Sequence, residues 1–190
     1  MSFTSHSKDK MIVAKEKREN NIAEYLLYMW QVEDIIRACN FDIALINANI
    51  VEQYDVAPDV KSKISEWYEN LIEMMRNEGK LEKGHLQINT NVIIKLNDLH
   101  SELLASQKMS LYTAAFYKAL PYINEIKNKQ GNTKCNDIET AFNSLYGLLL
   151  LRLSKREVSD ETIAATKTIT QFLSQLAELY KKEKAGELEL

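Results

Sequence analysis

The chain has 190 residues, a formal net charge of −3, 45% hydrophobic and 27% charged side chains. That length suits one domain and buries a core without metal or disulfide staples. Five Gly and two Pro are too few for a fold of hairpins or tight strand–helix turns, and the lack of a basic surplus argues against nucleic acid as the main partner.

Residues 1–10, MSFTSHSKDK, are polar and aperiodic and read as a disordered extension; they have no apolar signal-peptide core. A first helix is expected from Lys10 to Cys39, roughly 40 Å long, with Asn40 as its stop. A shorter helix is expected over Asp42–Tyr54, carrying Ile43, Ile46 and Ile50 on one side. Pro58 suits the first turn of the next helix, where its missing N–H costs nothing; Ile64, Trp67, Tyr68, Leu71, Ile72 and Met75 recur at helical spacing up to Gly79.

After the loop NEGKLEKG, a helix from Leu86 to about Gln107 repeats Val92, Leu96, Leu99 and Leu103. Ser110 begins another that runs to Gln130, with a kink expected near Tyr117–Pro121. Asn136, with Glu139 three residues on, caps a sixth helix ending near Leu153; its leucine run Leu148–Leu151 reads as core, or as a face covered by a second subunit. Ser159 caps the last, which ends near Lys184 and leaves 185–190 as a frayed tail. The expected architecture is all-α: a single-domain bundle over 11–184, about seven helices with mostly antiparallel neighbours, the long first helix central.

The stretch EYLLYMWQVEDIIRA, Glu24 to Ala38, is the anomaly. At 100° per residue Ile22, Leu26, Met29 and Ile36 share a face, and Glu33 falls in the middle of it. A carboxylate there must be paired, hydrogen-bonded or protonated. Arg37, one turn on, is the expected partner, giving an ion pair that fixes helix register. The alternative is a polar ligand pocket formed by Trp30, Glu33, Arg37 and His100, although His100 by itself reads as a satisfied core histidine near Leu96 and Leu103. Glu82-Lys-Gly-His85 has the spacing of a di-metal carboxylate motif, but it occurs once and in a loop, so no metal and no cofactor is expected.

The run MIVAKEKRENNIAEYLLYMWQVEDIIRA, Met11 to Ala38, resembles the opening of an uncharacterised family of bacterial all-helical proteins, and the likeness extends to roughly Tyr180, with EYLLYMWQVEDIIRA carrying its specificity. The resemblance implies an all-helical fold of about this size and no assigned activity, so no functional residue is carried over. With no phosphate loop, nucleophile elbow or paired catalytic carboxylates, the expected function is non-enzymatic binding of a protein partner or of a second copy, with a small-ligand site or enzyme at Glu33 and Arg37 as the alternative. Cys39 and Cys135 lie far apart and suit reduced thiols in the cytoplasm; no apolar run is long enough to span a bilayer, so no membrane partner is expected.

Overall fold

The computed structural model describes residues 10–130 and 135–190. Among them are α1 (Lys10–Asn20), α2 (Ile22–Ala38), α3 (Ile43–Asn49), α4 (Pro58–Asn77), α5 (Gln87–Ala105), α6 (Ser110–Gln130), α7 (Asp137–Leu153) and α8 (Asp160–Ala185), with 3-10 turns at Val51–Gln53 and Gln107–Met109 and no strand. The chain is all-α, with one helix more than expected. The extension read at 1–10 lies almost wholly outside the described residues. Contacts cluster in two compact units, one drawn from residues up to Asn20 and from Glu24–Thr90, the other from Asn21–Ala23 and Asn91–Leu190.

The additional helix comes from a break in the expected first one. Asn21 Oδ1 accepts the Ala23 N–H at 3.1 Å, so the side chain competes with the helical backbone and starts α2 afresh. Lys17 Nζ bridges the break to Glu24 Oε2 at 2.6 Å. The pattern Asn21-x-x-Glu24 is a helix-start signature that the apolar periodicity on both sides conceals.

In the first unit α4 packs against α1, α3 and the turn after α3. Tyr25, Leu26, Met29, Trp30, Val32 and Ile36 of α2 are all buried, as are Ile64, Tyr68, Leu71, Ile72 and Met75 of α4. Burial pushes the Tyr68 hydroxyl well above its ordinary value. α2 ends where Asn40 predicts: the Phe41 N–H reaches Ile36 O, the Asn40 N–H reaches Arg37 O, and Asn40 sits at φ 52°. α3 is shorter than expected, capped by Asp42 through the Ala44 N–H and followed by the 3-10 turn. α4 begins at Pro58 and closes with Gly79 at φ 66°, while the Lys80 N–H bonds Met75 O. That left-handed glycine turns the chain into the loop that supplies the site below.

In the second unit α6, α7 and α8 pack pairwise. Asn136 Oδ1 caps α7 through the Glu139 N–H, and Ser159 Oγ caps α8 through the Thr162 N–H. α8 ends at Ala185, with Gly186 at φ 71°. α6 continues through Pro121, which is exposed while Phe116, Ala119 and Ile123 of the same helix are buried. Proline offers no N–H to the Tyr117 carbonyl, and its exposed ring fills no core space in exchange. Pro121→Ala should therefore raise stability by roughly 1–3 kcal/mol, read as a higher urea midpoint at unchanged m-value.

Candidate functional site

Glu33 is wholly buried, 0% exposed. Its partners all come from one short segment. Oε2 lies 2.6 Å from His85 Nδ1, and Oε1 accepts from the Leu86 N–H at 3.0 Å and from Asn89 Nδ2 at 2.7 Å. A carboxylate oxygen accepts, so His85 Nδ1 donates, and in the neutral ring the lone pair then sits on Nε2. Trp30 stacks on the imidazole with centroids 4.1 Å apart and planes 13° apart. The His85 side chain keeps 30% of its exposure, and no described residue bonds Nε2. Asn89 is 0% exposed, and its Oδ1 has no partner among the described residues.

The site stands at the start of α5. The Leu86 carbonyl accepts the N–H groups of Asn89 and Thr90, so Leu86 acts as the cap residue, and Glu33 satisfies its N–H. Glu78 Oε2 takes the Gln87 N–H at 2.6 Å. Two carboxylates thus meet the positive end of the helix dipole, where negative charge is favoured.

Arg37 is not the partner of Glu33, which corrects the expected ion pair. Its Nη1 bonds Asp34 Oδ1 at 2.8 Å, Nε and Nη2 each reach Lys80 O at 3.3 Å, and Nη2 also bonds Gly84 O. The carbonyls of the 80–84 loop hold this guanidinium, and the loop in turn delivers His85 and the Leu86 N–H to Glu33. The i, i+4 rule finds only helical neighbours, whereas the actual partner lies 52 residues on. Of the four residues singled out, Trp30 and Glu33 meet through His85, and Arg37 holds the adjoining loop. His85 and Asn89 are the residues the sequence reading did not assign. The Glu82-x-x-His85 spacing did point at His85, for a different reason.

His100 belongs to the second unit. It is 6% exposed, bonds Tyr112 Oη through Nδ1 at 2.6 Å, and meets Phe116 and Phe172 edge-on at 4.6 and 5.7 Å. Burial pushes its pKa down, with the Asp137 charge opposing, while burial raises that of Tyr112. It is a core histidine, as its sequence neighbours suggested.

α7 presents the other feature of note. In its leucine run only Leu148 is buried; Leu149 and Leu151 are half-buried, Leu150 is 40% and Leu153 66% exposed. Beside them an open cleft of about 260 Å³ is lined by Ile126, Gly147, Leu148, Leu151 and Ile169. A Cβ placed on Gly147 would meet nothing within 4 Å, so no close packing among the described residues calls for a mid-helix glycine that costs about 0.5–1 kcal/mol relative to alanine.

Among the described residues no group of three His, Cys, Asp or Glu side chains is placed to hold a metal ion, and no helix is long and apolar enough to cross a membrane. A family model described as a domain of unknown function, DUF4924, matches residues 11–187. No curated protein and no solved structure matches the chain.

Replacing Glu33 with Ala strands the buried Leu86 N–H and Asn89 amide and removes the acceptor of His85 Nδ1, so Glu33→Ala should cost about 3–5 kcal/mol in chemical denaturation. Arg37→Lys should recover little of the loss caused by Arg37→Ala, since one ammonium cannot span Asp34, Lys80 O and Gly84 O. His100 gives a pH dependence. Its folded pKa lies below the unfolded value of about 6.5, so its contribution is intact above that value. As pH falls the unfolded chain takes up the proton first, and stability declines until the folded pKa is passed. Between pH 7.5 and 5 the urea midpoint should fall further for the wild type than for His100→Gln.

Proposed function

We propose a function for a chain that belongs to the DUF4924 family, domains of unknown function: it is a non-enzymatic helical protein that binds a protein chain through the outward face of α7. The observation that carries this reading is the exposure of Leu150 and Leu153 on a helix whose last nine residues, Leu145–Leu153, are apolar apart from Gly147 and Arg152. A helix apolar nearly all round belongs in an interior, and here its free side meets solvent. The Gly147 cleft continues the same surface and leaves room for a partner side chain close to the backbone. Cys39 and Cys135, far apart in the chain and in no CxxC pattern, suit a reducing compartment, and we read the protein as cytoplasmic.

A second reading rests on His85. Its Nε2 and the Asn89 Oδ1 lack partners among the described residues, and a small hydrogen-bond donor held against Trp30 is the ligand they suit. That reading requires a compound that raises the melting temperature of the wild type and not of His85→Phe; a broad screen of small polar compounds yielding none would remove it.

For the α7 reading, the chain in its native extract should elute in an assembly heavier than the monomer. Leu150→Ser/Leu153→Ser should elute at the monomer mass with an unchanged circular-dichroism spectrum. Wild type and variant both eluting as monomers would overturn it.

A further inference from the structure

We propose that the cleft between α6, α7 and α8 is a binding site for a small primary alkylamine, taken as its ammonium ion. Such a ligand needs only the cleft and no chain on Leu150 and Leu153, so the proposal stands apart from the α7 reading above. The three helices pack pairwise, and the cleft they leave measures about 260 Å³. Most ligand pockets hold roughly 300–1,000 Å³, so the body that fits is short. Ile126, Leu148, Leu151 and Ile169 give it apolar walls. Gly147 keeps it open, since a Cβ there would meet nothing within 4 Å.

The polar atoms of the cleft select the head group. Ser144 Oγ donates to Ala141 O at 2.7 Å and Thr166 Oγ1 donates to Thr162 O at 2.6 Å, so both hydroxyl protons are spent on the backbone. These two lining residues are left with oxygen lone pairs to offer a ligand. Glu125 and Glu161 line the same cleft, and Lys129 is the single cation among its lining residues. Lys129 Nζ holds Glu125 at 2.5 Å with its side chain 74% exposed, so its charge stands at the mouth. The Lys129 pKa is raised, first by that hydrogen bond and the Glu125 charge, and also by the charge of Glu161. Two acids therefore act on one ammonium, and one negative charge is left over. Asp160 and Glu161 occupy the first turn of α8, where two full charges outweigh the roughly half positive charge of the helix end. A carboxylate or phosphate in the cleft would meet acids and lone pairs. An alcohol would supply one donor and leave the charge uncancelled. An alkylammonium supplies three donors and a positive charge, on a stem that the apolar walls cover.

The test uses hexyl probes that differ only in the head: hexylammonium, hexanol and hexanoate. Each is titrated at neutral pH into the isotopically labelled full-length chain, and the amide signals of Gly147, Leu148 and Ile169 are followed by NMR. Hexylammonium should shift these signals with a Kd about tenfold or more below that of either other probe. Glu125→Gln/Glu161→Gln should raise that Kd about tenfold or more and leave hexanol unaffected. Gly147→Leu should fill the cleft and abolish the shifts without lowering the melting temperature, because leucine is the better helix former and its Cβ has room. Signals unmoved by hexylammonium at tens of millimolar overturn the proposal. So does hexanol or hexanoate binding as tightly, or a hexylammonium Kd that Glu125→Gln/Glu161→Gln leaves unchanged. A folded Gly147→Leu chain that binds hexylammonium as the wild type does overturns it as well.

Discussion

A carboxylate shut away from water must find its hydrogen bonds within the protein, or the charge is prohibitively costly to bury. Glu33 meets that requirement with three donors, all from residues 85–89. Their common origin ties α2 to the start of α5 at one point, so the segment between α4 and α5 has little freedom. Gly79 turns the chain out of α4, Arg37 grips Lys80 O and Gly84 O, and His85 closes over Glu33 beneath Trp30. Apolar side chains in place of Glu33 and its side-chain partners together would bury as well or better. What the carboxylate adds is direction, because three hydrogen bonds of fixed geometry admit one register where apolar contact admits several.

The second unit handles buried polarity differently. His100 and Tyr112 form a neutral pair ringed by Phe116 and Phe172, and no charge has to be compensated. The buried Thr140 of α7 and Thr166 of α8 return their hydroxyls to carbonyls one turn back, which satisfies them without engaging a neighbouring helix. Exposed apolar side chains remain in this unit, Leu150 and Leu153 of α7 among them.

The helices were legible because their signals are local. Apolar spacing marks α4 and α5, Asn136 and Ser159 start α7 and α8, Pro58 opens α4, and Asn40 stops α2. The break at Asn21 was written in equally local terms, yet the apolar repeat runs through it unchanged and favours one long helix. Glu33 was legible as an anomaly for the same reason that its partner was not. Periodicity places a residue on a face but says nothing of what arrives there from 52 residues away. Arg37 was the best neighbour within reach of a helical rule, and the structure gives it the loop instead. The leucine run shows a related limit: hydropathy marks Leu148–Leu151 as needing cover, and only the fold reveals that Leu148 is buried while Leu150 is left exposed.

These two features bear on function in opposite ways. A carboxylate that works as a general acid or base must exchange a proton with something that comes and goes. Both oxygens of Glu33 are taken up by fixed donors, two of them the backbone and side chain that begin α5. Only His85, through Nε2, faces outward from that cluster, so any chemistry there belongs to the imidazole, with Glu33 as the group that orients it. The face of α7 is in the reverse position. Its Leu150 and Leu153 meet solvent, and holding them there costs solubility unless something covers them. The Glu33 carboxylate is thus taken up by its own fold, whereas Leu150 and Leu153 of α7 are left to solvent.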